Sequence, residues 1–231
     1  GIDLYVASRT RRDKEGRLDN KRSRLVVLAK SYEGYKTLIE LITDANLVGY
    51  YYKPRVDRES LKEFNKDLIC IIPSFNSELI NALRLNDEEK AKEFLDFCNE
   101  TYGEENVYLE LTHHPEVEGH SDLMNKLVEF SKKHNAKLVA AHDVYYLTTE
   151  DREARQTLLS VQGTFGGGGL QSANEDFSFI NTKTANEYFK DFPEALENNQ
   201  KIVDGCNAEI ELGKWYFPNI DIPEGVTYDE E

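Results

Sequence analysis

Five short runs of continuous apolar residues alternate with helix-like segments, and this alternation constrains the fold more than any other feature of the sequence. The runs cover residues 4–7, 25–29, 68–72, 107–111 and 138–141. Runs that are mostly continuous, broken here only by Glu110, are typical of strands buried on both faces, as parallel strands are. The order strand, helix, strand, helix then predicts right-handed crossovers and an α/β fold built on a parallel sheet.

Helical spacing marks the segments between the runs. One buried helix face is predicted from the i, i+3, i+4, i+7 spacing of Tyr35, Leu38, Ile39, Ile42 and Ala45. Asn86 followed by Glu89 predicts an N-cap, and Gly103 fits just beyond the end of that helix. Further helices are predicted around Leu123, Leu127, Val128 and Phe130, and from Asp191 with Pro193 and Glu194.

The composition indicates a soluble globular chain. It has 231 residues, of which 39% are hydrophobic and 31% charged. No apolar run approaches the roughly 20 residues that span a bilayer, and no secretory signal opens the chain, so we expect no membrane contact and a cytoplasmic location. The cysteines Cys70, Cys98 and Cys206 are widely spaced, which predicts buried free thiols and no zinc knuckle.

A domain boundary is expected near Thr182. Residues 1–181 would form one domain, and residues 182–231 a helical exit segment that ends in an extended, proline-rich connector. Both ends of the chain look cut from something longer. The four glycines at 166–169 lack a neighbouring Lys-Ser/Thr, so they indicate a flexible connection, natural or engineered, and no nucleotide site.

Charge is unevenly distributed along the chain. The net charge is −15, which should repel nucleic acid from most of the surface. Residues 9–24 oppose this trend, with eight basic and three acidic side chains. They would form either a phosphate-facing arm or a solvated, mobile hairpin between two strands, and the hairpin is the favoured interpretation.

Histidine and carboxylate side chains that could take part in chemistry lie in or after two of the apolar runs. Glu110, His113 and His114 lie in or after the fourth run, and His142 and Asp143 follow the fifth. Because functional side chains gather at the carboxyl ends of parallel strands, these groups are candidate ligands for divalent metal ions. The alternative is an ordinary loop hydrogen bond. His113 and His114 point in opposite directions along a strand, so only one of them would face a site.

At these residues the chain resembles a known family. The segments "LAKSYEGYKTLIEL", "GYYYKPRVD", "VYLELTHH" and "KLVAAHDVYYLTTEDREARQTLLSVQ" are similar, in the same order, to segments of the PHP domain of the bacterial replicative DNA polymerase III alpha subunit, a C-family DNA polymerase. The resemblance implies a distorted, TIM-like β/α barrel of parallel strands with a multi-metal cluster at the strand ends. The family's first strand, which carries a His-x-His motif, would be missing here, so the barrel is expected to be N-terminally truncated.

Few of the family's metal ligands carry over to this sequence. Asp3 falls where the family has a metal-binding glutamate, and Asp143 matches a family aspartate; both are candidate metal ligands, with His142 and His114 as further candidates. Three ligand positions are degenerate, occupied here by Arg24, Ser74 and Tyr145. A guanidinium cannot ligate a metal, so Arg24 is expected to replace an ion by pairing with Asp3 or Asp143.

The resemblance implies a role in DNA replication. The favoured hypothesis is a structural, partner-docking PHP module of a DNA-directed DNA polymerase. Its expected partners are the remainder of the alpha chain, a proofreading exonuclease subunit, as in some members of the family, and DNA through the parent protein. The alternatives are an active metal-dependent phosphoesterase, either a 3′-5′ exonuclease or a pyrophosphatase, and a free-standing PHP phosphatase. No catalytic residue is assigned. A divalent Mn, Zn or Mg ion belongs to the active alternative, and Mg to the parent polymerase.

Overall fold

The computed structural model of the protein describes residues 1–161 and 176–215. The glycine run at 166–169 and the connector beyond residue 215 lie outside the described residues. Five strands form one mixed sheet in the order β1-β2-β3-β4-β5. They are β1 (Ile2–Ala7), β2 (Arg22–Ala29), β3 (Leu68–Ile72), β4 (Val107–Thr112) and β5 (Lys137–Ala141), so all five predicted strand positions are confirmed.

The prediction of a wholly parallel sheet is wrong for its first part. β2 is antiparallel to both β1 and β3, and only β3, β4 and β5 run parallel to one another. Residues 8–21 connect β1 to β2 without a helix, so β2 returns alongside β1 in the opposite direction. In the part of the chain that the structure describes, β1 and β5 are not paired, and barrel closure stays a prediction.

Helices cover the sheet and supply most of the core. They are α1 (Tyr32–Leu47), α2 (Arg58–Glu63), α3 (Glu78–Arg84), α4 (Glu88–Tyr102), α5 (His120–His134), α6 (Arg152–Val161), α7 (Thr182–Tyr188) and α8 (Pro193–Gly205). The main core lies between one sheet face and the helices, where Leu25, Leu41, Phe94 and Leu109 are fully buried. No helix in the described ranges is long and apolar enough to cross a membrane.

Helix α1 was predicted correctly, but its buried face is rotated by about one residue. Tyr35 and Ile39, predicted to be buried, are 36% and 46% exposed. The buried stripe begins instead at Gly34 and continues through Thr37 and Leu38. Hydrophobic periodicity missed Gly34 because glycine has no side chain, although a Cβ there would lie only 2.3 Å from the carbonyl oxygen of Asp67.

The start of α4 differs from the prediction by one residue. Asp87, not Asn86, is the N-cap, and its side chain accepts a hydrogen bond of 3.0 Å from the Lys90 amide. Asn86 instead adopts a left-handed φ of 57° in the turn after α3. Gly103 ends α4 with a φ of 85°, as predicted.

The loop at residues 8–21 joins two antiparallel strands and most of its side chains are exposed, as expected of a solvated hairpin. Buried contacts hold it against the body of the protein, contrary to the prediction of a mobile loop. The Arg11 side chain is buried and donates to Asp57 at 2.7 Å and Glu59 at 2.9 Å. Arg55 is 0% exposed and donates to backbone carbonyls of this loop. The charges counted within residues 9–24 could not predict these contacts, because Arg11 and Arg55 bind partners that are distant in the sequence.

The second face of the sheet is covered in part by α8. Ile202 of α8 packs against Ile69, Tyr108 and Val139 in a small apolar cluster. The Asn198 and Asn199 side-chain amides donate to the carbonyl oxygens of residues 138 and 140 in β5, at 2.8 and 2.9 Å. Beyond this cluster the same face carries polar and charged side chains.

Candidate functional site at the sheet edge

The strand directions bring one set of polar residues to a single edge of the sheet. β3, β4 and β5 end at this edge, and β2 begins there. Ser74 follows β3, Thr112 ends β4, and Asp143 follows β5. Arg24 lies near the start of β2, and its backbone amide donates to the Asn76 carbonyl at 2.8 Å, which fixes β2 to the loop after β3.

Glu110 is the carboxylate at the centre of the cluster. One of its oxygens accepts from the Ser74 amide at 3.0 Å and from the Ser74 hydroxyl at 2.8 Å. Burial and the nearby Asp143 charge raise the pKa of Glu110, whereas the Ser74 hydrogen bonds and the Arg24 charge lower it. Burial is the largest effect, so the net change in the pKa is upward. Ser74, a degenerate ligand position, therefore serves as a hydrogen-bond donor to this carboxylate.

The hydrogen bonds continue from Ser74 to a buried histidine. The Ser74 and Thr112 hydroxyl oxygens are 2.8 Å apart, and the Thr112 hydroxyl lies 3.2 Å from Nε2 of His120. The Ser74 proton is engaged with Glu110, so Thr112 donates to Ser74, and Nε2–H of His120 donates to Thr112. Burial lowers the pKa of His120 and favours its neutral form.

Arg24 pairs with Asp3 on the same face. Its Nη2 lies 2.5 Å from Oδ2 of Asp3, and its Nε donates to the same oxygen at 3.0 Å. The two side chains are 35% and 46% exposed. The hydrogen bond to Asp3 raises the pKa of Arg24, and the negative charges of Glu110 and Asp143 add to this. The guanidinium thus lies within the field of three carboxylates.

His114 is the histidine of its pair that faces the cluster, whereas His113 stacks on Tyr188 at a ring distance of 4.3 Å. His114 is 1% exposed, with Nδ1 at 3.1 Å from Glu116 and Nε2 at 3.4 Å from Oδ2 of Asp143. Burial lowers its pKa, but the close approach of Asp143, the contact with Glu116 and the negative charges of both outweigh burial and raise it.

Three of the candidate ligands carry buried atoms without hydrogen-bond partners, among them Nε2 of His114. Both ring nitrogens of His142 are in this state, and so is Oδ2 of Asp143, whose 3.4 Å approach to His114 lacks hydrogen-bond geometry. Burial lowers the pKa of His142. The His142 and His114 rings stack at 5.3 Å with an interplanar angle of 20°. Because ring lone pairs lie in the ring plane, stacked imidazoles do not converge on one ion.

Tyr145, predicted to be the third degenerate position, lies beside the cluster, where burial and the Asp143 charge raise its pKa. It is 54% exposed, its ring meets Phe177 edge-on at 5.0 Å, and the Arg155 guanidinium lies 4.2 Å above it. The sequence alone did not indicate the central place of Glu110 and His120 in this cluster. His120 was missed because it begins a helix, and its burial depends on packing against β4.

These residues do not fit a multi-metal cluster. Within residues 1–161 and 176–215, no three His, Cys, Asp or Glu side chains are grouped so that they could hold a metal ion. A guanidinium donates hydrogen bonds and cannot act as a ligand, yet Arg24 occupies the space beside Asp3. A hydrolytic metal centre needs several anionic or imidazole ligands that converge.

Comparison with known proteins finds similarity to one domain family and to one class of protein. A sequence model of the PHP domain matches residues 1–114. The chain is 30% identical to the DNA polymerase III subunit alpha of Borreliella burgdorferi over 96% of its length, and 31% identical to that of Pseudomonas aeruginosa over 100%. The Aquifex aeolicus subunit is 28% identical, also over 100%.

The chain spans only about a fifth of the length of these relatives: 20%, 19% and 21%, respectively. The collinear resemblance noted in the sequence is thus confirmed by matches that extend along nearly the whole chain. We conclude that residues 1–114 are similar to the PHP domain, and that nearly the entire chain is similar to part of bacterial DNA polymerase III alpha subunits.

Proposed function

We propose that this chain acts in DNA replication as the PHP module of a DNA polymerase III alpha chain, with a structural and partner-docking role and a degenerate metal site. The observation that carries the proposal is the Arg24 guanidinium, which is bound to Asp3 and attracted by Glu110 and Asp143. A fixed positive charge there balances the carboxylates without a metal ion.

Electrostatics supports this reading. A divalent ion about 4 Å from a guanidinium would be repelled by roughly 8 kcal/mol at an effective dielectric constant of about 20, before solvent screening reduces the value. The Arg24–Asp3 pair is partly exposed, so screening is substantial. Even a fraction of this repulsion weakens metal binding by orders of magnitude, because each 1.4 kcal/mol is about tenfold.

The proposed partners are those of a replication module. They are the remainder of the alpha chain, which would hold the Mg-dependent polymerase chemistry, a proofreading exonuclease subunit, and DNA bound through the parent protein. Such a module would work in the cytoplasm. In this proposal residues 1–181 form the PHP domain, and residues 182–231 lead toward the polymerase.

An active phosphoesterase is the second candidate, and one observation favours it. His142 and Asp143 keep buried ring and carboxylate atoms without hydrogen-bond partners, as residual ligands would. A free-standing phosphatase gains no such support, because the similarity along the chain is to polymerase subunits.

Metal content distinguishes the two candidates. The wild-type chain, dialysed with Mn²⁺ or Zn²⁺ and then freed of excess ion, should retain clearly less than one ion per chain by elemental mass spectrometry. It should also fail to hydrolyse a phosphodiester such as bis-p-nitrophenyl phosphate. The Asp143→Asn variant is the matched control, since it removes one candidate ligand. Stoichiometric metal in the wild type that is lost in this variant would overturn the structural assignment.

A further inference from the structure

Three basic side chains of the 8–21 loop are left without acidic partners. Lys14, Arg17 and Lys21 are exposed, and none of them has a carboxylate partner in the described part of the chain. Their basic neighbours differ in this respect, because Arg9 binds Asp19 and Glu15, Arg12 binds Glu59, and Arg11 is buried with Asp57. The positive charges of Lys14, Arg17 and Lys21 are therefore not engaged in ion pairs within the described ranges.

A tyrosine-rich turn lies next to this loop. Tyr50 and Tyr52 are 53% and 68% exposed, although large aromatic side chains usually gain from burial. Lys53 follows them, also exposed and without a carboxylate partner among the described residues. Tyr52 adopts a left-handed φ of 60°, which is rare for an aromatic residue, and the Tyr51 ring meets it edge-on at 4.6 Å.

Arg55 joins the loop and the turn into one rigid surface. Its guanidinium donates to the carbonyl oxygens of Arg11, Asp13 and Asp19 at 2.9, 2.9 and 3.1 Å, and to that of Gly49 at 3.0 Å. The Tyr51 ring covers the guanidinium at 5.2 Å. Because one buried guanidinium binds both segments, the loop that carries the exposed cations and the turn that carries the exposed tyrosines are held next to each other.

We propose that this basic–aromatic surface, formed by Lys14, Arg17, Lys21, Lys53, Tyr50 and Tyr52, binds single-stranded nucleic acid. Cations follow the phosphates, and exposed rings stack on bases, a combination that recurs in proteins binding single strands. A duplex hides its base faces, so exposed tyrosines favour the single strand. The rest of this acidic chain repels phosphates and would direct the strand to this surface. The proposal goes beyond the replication role and does not involve the Arg24 cluster.

Fluorescence anisotropy with a labelled oligothymidylate of about 20 nucleotides tests the proposal on the 231-residue chain. The triple variant Lys14→Gln, Arg17→Gln, Lys21→Gln should bind at least about tenfold more weakly at about 50 mM KCl. The slope of log affinity against log salt should decrease in magnitude by about 2, because each of the three lost phosphate contacts contributes about 0.7 to the slope on a single strand. The control variant Lys90→Gln, Lys132→Gln, Lys183→Gln removes the same charge from exposed positions elsewhere and should bind like the wild type.

A second variant tests the stacking component. Tyr52→Asn removes the ring while keeping a residue that tolerates the left-handed backbone. It should weaken binding about tenfold and leave the salt slope unchanged, since one stacked base is worth about 5-fold to 150-fold. Circular dichroism verifies that each variant is folded. Equal losses in the loop and control triples would overturn the proposal. Binding of a duplex of the same length at least as tightly as the single strand, or preference for an acidic polypeptide such as poly-glutamate, would also overturn it.

Discussion

Replacing Arg24 with glutamine removes the guanidinium that faces Asp3, Glu110 and Asp143 and keeps a hydrogen-bond donor of similar reach. The partly exposed pair with Asp3 contributes no more than about 1 kcal/mol after solvent screening. The lost attraction to the buried Glu110 carboxylate adds a comparable amount. We expect the free energy of unfolding at about pH 7.5 to fall by about 1–2 kcal/mol. The melting temperature would fall by about 2–8 °C.

The pH dependence of this deficit tests its cause. Burial already raises the pKa of Glu110 in the folded protein, and removing Arg24 raises it further. A carboxyl group whose pKa is raised in the folded state destabilises the fold at pH values above that pKa. This loss of stability disappears as the pH falls toward the ordinary pKa of a carboxyl group, because the group is then protonated in the folded protein. The deficit of Arg24→Gln should therefore be largest near neutral pH and narrow toward about pH 5.

Urea unfolding followed by circular dichroism, at several values between about pH 5 and pH 7.5, measures the effect. The control is Arg12→Gln, which removes another arginine–carboxylate pair from a more exposed site, and its midpoint should follow that of the wild type at every pH. A deficit of Arg24→Gln that stays constant or grows toward pH 5 would refute the reasoning, as would the absence of any deficit at neutral pH.

Three other predictions follow from buried groups. Arg55→Lys should cost about 3 kcal/mol or more and speed proteolysis within residues 8–21, because an ammonium cannot reproduce the planar donors that hold four carbonyls. The acidic neighbours of His114 raise its pKa in the folded protein. His114 should therefore stabilise the protein at low pH, and this contribution should be lost as the pH rises through the folded pKa. NMR titration of the ring measures that pKa. Cys206 should react first with a thiol reagent, while Cys70 and Cys98 react only on unfolding, because both are fully buried and burial raises the pKa of Cys98.

Strand positions were predictable because continuous apolar runs record burial directly. Strand direction was predictable only in part. The hairpin expected within residues 9–24 does turn the chain back between β1 and β2, but the alternation of strands and helices favoured a wholly parallel sheet. The buried face of α1 was misplaced for a related reason. Gly34 packs closely against the sheet, and contacts made by glycine leave no hydrophobic signal.

The candidate site was predictable in its members but only partly in its pairings. The strand-end rule identified His114, His142 and Asp143, and the structure brings them together. The pairing of Arg24 with Asp3 is one of the two pairings expected from the family resemblance, which left Asp3 and Asp143 open as partners. The chain of hydrogen bonds from Glu110 to His120 was not expected, because it joins four side chains from three separate segments, and sequence spacing holds no information on such contacts.

The asparagines of α8 also control what can join the sheet. β5 is the last strand in the sheet order, and residues 138 and 140 direct their carbonyls to the same side because strand residues alternate. Asn198 and Asn199 occupy both of these acceptors. An incoming strand would have to break two amide contacts and displace a helix before it could pair there. These contacts prevent another strand from pairing with this edge of β5, and they protect the chain from edge-to-edge aggregation.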